Sequence, residues 1–195
     1  MKLLIASGNP HKIYEFKKLF SKYDNIEVLS LKDFNDNNEV EETGTTFPEN
    51  SYIKAKYFYD KYQIITISDD SGIVVPSLNN EPGVYSSRYS GLGDEGNNDL
   101  LLKKLGDSKD RTAYYECDIC FYDGKLNLEK HFNGKCYGKI GYERKGTKGF
   151  GYDPLFIYGD KTFAEVDLEE KNKVSHRAIA LREFMKYFEN EYLQK

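Results

Sequence analysis

The sequence predicts an α/β protein built on a mixed β-sheet, and two patterns carry that prediction. Short apolar runs rich in β-branched residues end in polar turns and lead into segments with helical spacing, which is typical of strand–helix units. Elsewhere, two apolar segments are joined by the short turn Asp-Gly-Lys, which is typical of an antiparallel hairpin. Both kinds of strand pairing are therefore expected in one sheet.

The first half of the chain alternates strands and helices. Residues 3–6 are apolar and are closed by Ser-Gly-Asn-Pro, so they predict a buried strand, and apolar side chains at helical spacing predict a helix over 13–23. A second helical pattern runs over 48–62, after an acidic loop, and opens with a proline. The β-branched residues 64–67 predict a strand that delivers two aspartates to a turn at 68–72.

The second half begins with a loop at 77–94 that is rich in Gly, Asn, Ser and Pro, followed by a short helix at 95–105. Beyond it we expect a hairpin formed by strands at 112–122 and 126–132, and a further strand at 134–141 that extends it. A long amphipathic helix is expected at 174–192. Ser175 is the expected N-cap of the last helix.

Length and composition limit the possible partners. A chain of 195 residues with 39% hydrophobic residues can bury a sizeable core, and we expect a single domain spanning 1–195. The 28 basic residues against 32 acidic ones give a net charge of −4, so no general positive field exists to hold a nucleic acid polymer. Any phosphate ligand must be bound locally.

The cysteines and the apolar runs indicate a compartment. Three cysteines are too few for a disulfide framework, and Cys117 and Cys120 fall on opposite faces of a predicted strand, so neither a disulfide nor a zinc site is expected. The apolar run at the start is too short for a signal peptide, and no run is long enough to span a membrane. We expect a soluble, cytoplasmic protein that does not contact a membrane.

Four segments carry residues suited to chemistry, and the first is the turn between the first strand and the first helix. A helix N-terminus favours anions, Gly8 lets an anion approach the main chain, and Lys12 can reach back to it. This pattern predicts a phosphate-binding turn. An ordinary β–α turn capped by Ser7 and Asn9, with Lys12 on the surface, is the equally weighted alternative.

The second segment is a pair of acidic turns, Glu41-Glu42 and Asp69-Asp70. Magnesium prefers hard oxygen ligands and bridges one or two carboxylates to substrate phosphates, and one carboxylate could also act as a general base toward water. Solvated turn residues are the alternative.

The third segment, residues 146–154, contains Phe150 and Tyr152 flanked by glycines. Their rings could stack on a flat heterocycle while Asp153 accepts hydrogen bonds from its edge. Both rings could instead fill the core. Neither a Rossmann glycine pattern nor a Walker sequence occurs, which disfavours a dinucleotide fold and a P-loop enzyme.

The fourth segment, residues 171–177, places hydrogen-bond donors where the last helix begins. By themselves His176 and Arg177 are better explained as a solvated first turn.

Taken together, the residues of six segments and the order of these segments resemble the inosine triphosphate pyrophosphatase family. Its members are also described as noncanonical purine nucleoside triphosphate pyrophosphatases or Ham1-like proteins. The resemblance covers nearly the whole chain. It rests on Ser7-Gly8-Asn9 with Lys12, Glu41 to Asn50 with Lys54-Ala55, Asp69 to Gly72, Pro82 to Gly91, Gly149 to Pro154, and Ser175-His176-Arg177.

The resemblance implies Mg²⁺-dependent hydrolysis of ITP, dITP and XTP to the monophosphate and pyrophosphate, in a homodimer. It also implies an elongated mixed sheet with flanking helices and two lobes around a central nucleotide-binding cleft. By matching position, Asp70 resembles the catalytic base, and Glu42 and Asp70 the metal ligands, with Glu42 the less secure because Glu41 adjoins it. The substrate-binding residues implied are Ser7, Gly8, Asn9, Lys12, Ser71, Phe150, Gly151, Tyr152, Asp153, Lys171, His176 and Arg177.

Two other functions are compatible with parts of the pattern. A related pyrophosphatase acting on modified pyrimidine triphosphates would share the fold, although the turn at 7–9 and Ser175-His176-Arg177 argue against it. A nucleotide-binding module without catalysis should have lost one half of the acidic pair, and both halves are present here.

Overall fold

The computed structural model describes residues 1–194 and contains eight strands and five α-helices in that range. In chain order they are β1 (Lys2–Ile5), α1 (Pro10–Phe20), β2 (Glu27–Ser30), α2 (Phe47–Tyr62), β3 (Ile65–Val75), β4 (Glu81–Pro82), α3 (Gly93–Leu105), β5 (Thr112–Asp123), β6 (Leu128–Ile140), β7 (Phe156–Tyr158), β8 (Lys161–Thr162), α4 (Leu168–Val174) and α5 (His176–Tyr187). Over the same residues, none of the helices combines the length and the apolar character that a bilayer crossing needs.

The strands form one mixed sheet, which confirms the predicted α/β class. Their order is β2-β1-β3-β5-β6-β7-β8, and β4 pairs with β3. The strand β1 pairs in parallel with both β2 and β3, whereas β4, β7 and β8 pair antiparallel with β3, β6 and β7 respectively. The connection from β1 to β2 contains α1, as a parallel pair requires, whereas β3–β4 and β7–β8 are joined by short turns.

The chain divides into two compact units. The first comprises residues 1–70 and 118–132. In it β1 is buried, and the chain turns at its carboxyl end into α1, which has Asn9 as its N-cap and Pro10 in its first turn. A small core of Leu4, Ala6, Leu31 and Phe58 fixes β1 against α2.

The second unit comprises residues 71–117 and 133–195. Its core is larger and more aromatic, and it is formed by the buried residues Ile73, Val75, Leu101, Leu105, Ala113, Tyr115, Cys136, Ile140, Tyr152, Leu155, Phe156 and Phe163. As predicted, Ser175 is the N-cap of α5, and its hydroxyl accepts a hydrogen bond from the Ala178 amide at 3.2 Å. The three cysteines are buried.

Two expectations about individual elements were wrong, and one helix was not anticipated. Residues 68–72 are not a turn, because β3 is one strand of 11 residues that runs through them and buries both aspartates. Likewise β6 is a single strand of 13 residues, where two were expected. The helix that was not anticipated is α4, which ends at the N-cap of α5. In the two strands, pairing with neighbouring strands or packing on the core overrides the local turn signal.

Candidate active site

The turn between β1 and α1 is a capped helix start. The Asn9 side chain accepts hydrogen bonds from the amides of His11 (2.9 Å) and Lys12 (3.4 Å), and the Asn9 amide donates to the Ser7 hydroxyl at 3.1 Å. The capping that the alternative interpretation expects is therefore present, and these amides already have partners within the turn. Space remains at Gly8, where an added Cβ would have no atom within 4 Å. An anion could approach the main chain at that point.

Lys12 is not a free surface lysine. Its ammonium group lies 2.7 Å from an Asp69 carboxylate oxygen, and only 3% of the Asp69 side chain is exposed. The carboxylate therefore holds the Lys12 side chain beside the turn, 57 residues away in sequence from its partner. A lysine held in this way presents a fixed positive charge to a phosphate.

Lys54 joins the loop before α2 to β3. Its ammonium group lies 2.5 Å from a Glu42 carboxylate oxygen and donates to the Asp69 carbonyl at 3.0 Å. Burial alone would lower the pKa of Lys54, but the charges of Asp69 and Glu42 raise it, so the ammonium form is stable. Glu41, by contrast, is exposed, so the structure favours Glu42 as the member of the acidic pair that faces β3.

Asp70 is a buried carboxylate with a raised pKa. Only 9% of the residue is exposed, and its Oδ2 accepts a hydrogen bond from the Asn50 side-chain amide at 3.1 Å. Burial, followed by the negative charge of Glu42, raises the pKa of Asp70 to about 6, against the opposing effect of Lys54. A group with this pKa can hold or release a proton near neutral pH.

The acidic group fits a divalent cation on electrostatic grounds. The repulsion between Glu42 and Asp70 that raises the pKa of Asp70 is what a bound cation would relieve. Within residues 1–194 no cluster of three or more His, Cys, Asp or Glu side chains is arranged to hold a metal. That is compatible with magnesium, which is commonly held by one or two carboxylates with the remaining positions filled by substrate phosphates and water.

In the second unit, Asp153 is the centre of a buried network. The residue is 1% exposed, and its oxygens accept hydrogen bonds from the Tyr115 hydroxyl (3.2 Å), the Phe150 amide (3.1 Å) and the Lys171 ammonium group (2.5 Å). The interpretation of Asp153 as a carboxylate open to the edge of a base therefore does not describe this structure. Here it fixes the loop that contains Phe150.

The two aromatic residues of that loop differ in exposure. Phe150 is 70% exposed, and the Lys171 ammonium group lies 4.8 Å from its ring centroid. Tyr152 is buried in the core, and its hydroxyl donates to the Ser86 carbonyl at 2.7 Å. The expectation of two exposed rings was therefore wrong for Tyr152, because its ring completes the core, and right for Phe150.

Gly151, the residue between Phe150 and Tyr152 in sequence, is hydrogen-bonded to the start of α3. The Gly151 amide donates to the Asp94 carboxylate at 2.8 Å, and the Asn98 side chain donates to the Gly151 carbonyl at 2.8 Å. Gly151 has a φ of +59°, a conformation that favours glycine. Phe150 is thus presented to solvent on a loop whose backbone is fixed from both sides.

His176 and Arg177 form the first turn of α5, and both are partly buried. The His176 ring stacks on the Tyr115 ring, with centroids 4.8 Å apart and an angle of 12° between the planes. Tyr115 is therefore in contact with two of the predicted substrate-binding residues, Asp153 and His176. Ser71 lies in β3 directly after Asp70 and is partly buried.

Sequence reasoning gave no role to several residues that organise these groups, namely Asn50, Lys54, Asp94, Asn98 and Tyr115. Asn50 and Lys54 belong to a segment that had been singled out, and a buried polar residue in a helical pattern is the signal that could have drawn attention to them. Nothing local distinguishes Tyr115 from the other 16 tyrosines.

Comparisons with known proteins identify the family. The sequence profile described as "Ham1 family" matches residues 3–187. This chain belongs to the Ham1 family. The predicted family resemblance is thereby confirmed, and the match includes every residue of the candidate site.

Two relatives of this chain carry an activity in their names. The dITP/XTP pyrophosphatase of Christiangramia forsetii is 47% identical over 192 residues, covering 96% of this chain and 98% of that protein. The protein of the same name from Leptospira interrogans is 43% identical over 195 residues, with coverage of 97% and 98%.

Two solved structures have the same fold. The Staphylococcus aureus Ham1 protein superposes with a TM-score of 0.92 at 37% identity, covering 98% of this chain and all of that one. A nucleoside-triphosphatase described as a dITP/XTP pyrophosphatase from Mycobacterium abscessus gives 0.82 at 38% identity, with coverage of 94% and 97%.

Proposed function

We propose that this Ham1 family protein hydrolyses noncanonical purine nucleoside triphosphates (ITP, dITP and XTP) to the monophosphate and pyrophosphate, and so removes them from the nucleotide pool. The observation that carries the proposal is the buried charged group of the first unit. There Lys12 pairs with the Asp69 carboxylate and Lys54 pairs with Glu42, and the charges of Glu42 and Lys54 act on Asp70. Phosphoryl transfer depends on positioning and charge neutralisation, and this group provides both.

Each residue has a defined part in the proposed reaction. The turn at Ser7, Gly8 and Asn9 binds the triphosphate with Lys12, whose charge neutralises the leaving pyrophosphate. Asp70 accepts a proton from the attacking water while Asn50 holds one of its oxygens. Glu42 and Asp70 would hold Mg²⁺, which when bound draws charge from the phosphate oxygens.

The base is bound by residues of the second unit. Phe150 stacks on the purine ring, and Gly151 lets the backbone approach it. His176 and Arg177 donate hydrogen bonds to the 6-oxo group that hypoxanthine and xanthine share, which adenine lacks. The loop that carries Phe150 is held in place by Tyr152, Asp153 and Lys171. Ser71 adjoins the triphosphate.

A product assay tests the proposal. The protein is incubated with Mg²⁺ and separately with ITP, XTP, GTP, ATP and a modified pyrimidine triphosphate, and the products are separated. We expect IMP and pyrophosphate from ITP and little product from ATP or GTP. Inorganic phosphate as the product would contradict the cleavage position. A preference for the pyrimidine would favour the related pyrophosphatase, and tight ITP binding without product would favour a binding module.

The remaining features of the proposal concern the setting of the enzyme. We propose Mg²⁺ as the metal, the cytoplasm as the compartment and a homodimer as the assembly. Three cysteines in 195 residues are too few for a disulfide framework, which supports a reducing compartment. Sedimentation velocity tests the dimer, and a metal panel with the product assay tests Mg²⁺.

A further inference from the structure

Asn50 is a buried asparagine in the first turn of α2, beside the acidic group. It is 0% exposed, and asparagine is poorly suited to a helix because its side chain competes for backbone hydrogen bonds. A buried amide needs partners, and both partners of Asn50 come from other segments. The Gly44 amide donates to its Oδ1 at 2.8 Å, and its Nδ2 donates to Asp70 Oδ2 at 3.1 Å.

The chemistry of the two partners determines the orientation of this amide. An ionised carboxylate only accepts hydrogen bonds, and a backbone N–H only donates them. Exchanging the oxygen and nitrogen of Asn50 would place two acceptors together at Asp70 and two donors together at Gly44. The side chain therefore has one satisfied orientation, which links two segments of opposite hydrogen-bonding character.

Gly44 lies two residues after Glu42, and the loop packs closely on the helix at this point. A Cβ added at Gly44 would lie 2.6 Å from the Glu49 Cβ and 2.7 Å from Asn50 Oδ1. Only glycine allows this approach without movement of the loop or the helix. Asn50 thus bonds directly to Asp70 and to the turn that contains Glu42.

We propose that Asn50 is a positioning residue for hydrolysis, which fixes Asp70 relative to the Glu42 turn through its two hydrogen bonds. The inference rests on the proposed function. Its physical basis is that hydrogen-bonded neighbours orient carboxylates that bind a metal or accept a proton. Without Asn50, Asp70 would rotate and the Glu42 turn would lose its anchor, although neither carboxylate is removed.

Ser51 provides a matched control. It is the next residue of α2 and is also 0% exposed, but its hydroxyl contacts Asp118 at 2.5 Å and the Pro48 carbonyl at 3.0 Å. Asn50→Ala and Ser51→Ala therefore each remove a buried polar group from the same helical turn. Only the first removes a contact with Asp70.

The experiment compares the full-length wild type with Asn50→Ala, Asn50→Asp and Ser51→Ala. Three quantities are measured: kcat and KM for ITP with Mg²⁺, Mn²⁺ affinity of the nucleotide-free protein by electron paramagnetic resonance, and the unfolding temperature. For Asn50→Ala we expect kcat and Mn²⁺ affinity to fall by about 10- to 100-fold, with KM for ITP unchanged. Ser51→Ala should keep the wild-type kcat and Mn²⁺ affinity. Asn50→Asp retains an acceptor for Gly44 but not the donor to Asp70, so its kcat should fall as well.

Several results would overturn the inference. Equal losses of kcat in Asn50→Ala and Ser51→Ala, following their unfolding temperatures, would make the role of Asn50 structural only. A rise in KM with unchanged kcat would assign it to substrate binding. If Asn50→Ala does not fold, wild-type kcat in Asn50→Asp would refute the role. If the wild type fails to convert ITP, the proposed function is refuted. The Mn²⁺ affinity still tests the positioning role of Asn50, because equal affinities in the wild type and the variants would contradict that role.

Discussion

The substitution Asp153→Asn should destabilise the protein strongly, because it removes the negative charge from a buried ion pair. The Lys171 side chain is only 10% exposed, and its ammonium group lies 2.5 Å from the carboxylate of Asp153, whose side chain is 2% exposed. Leaving a buried charge without its partner costs about 3–5 kcal/mol. In a chain of this size each kcal/mol of lost stability lowers the midpoint of thermal unfolding by about 2–4 °C, so we expect the unfolding temperature to fall by about 6–20 °C.

Urea titration at neutral pH, followed by circular dichroism, measures the difference in the free energy of unfolding. The double variant Asp153→Asn/Lys171→Met removes both charges, and it should recover more than half of the loss. Lys171→Met alone should cost less than Asp153→Asn, because the Tyr115 hydroxyl and the Phe150 amide still donate to the carboxylate. If Asp153→Asn costs less than about 1 kcal/mol with an unchanged dependence on urea, the buried pair is not the source of stability that the geometry indicates.

Three further predictions concern the reaction, pH and backbone packing. Asp70→Asn should abolish ITP turnover in the product assay while nucleotide binding by calorimetry stays measurable, and near-normal turnover would exclude its role as the base. The hydrogen bond to Asp118 raises the pKa of His131 above its ordinary value of 6.5, against the effect of burial, so protonated His131 stabilises the fold. The substitution His131→Asn should therefore lower the free energy of unfolding by about 1 kcal/mol below pH 6.5, and this difference, measured by urea titration, should shrink as the pH rises through the raised pKa. A difference that grows with pH would contradict the prediction. Gly134→Ala would place a Cβ 2.0 Å from the His176 carbonyl, so we expect a lower melting temperature and weaker nucleotide binding, whereas wild-type values for both would show that α5 moves away without cost.

Much of the local structure could be predicted from the sequence because its signals are local. The Asn9 cap of α1 and the Ser175 cap of α5 act on neighbouring residues of the same turn. Ser175 was found where the pattern indicated, and Asn9 caps α1 as the alternative interpretation of that turn had it. The turn expected at 68–72 failed for the opposite reason. Whether a stretch of Ser, Asp and Gly forms a turn or continues a strand depends on pairing partners from elsewhere in the chain, and β3 has them.

The family and the position of its motifs were determined by the sequence alone, because six short segments in a fixed order carry that information at whatever distance they lie in space. Only the tertiary structure decided how these residues are used. It paired Lys12 with Asp69 across 57 residues, gave Asp70 the Asn50 amide, and buried Asp153 while leaving Phe150 exposed. Burial and long-range hydrogen bonds set the charge and orientation of each group, and neither follows from the neighbours of a residue in sequence.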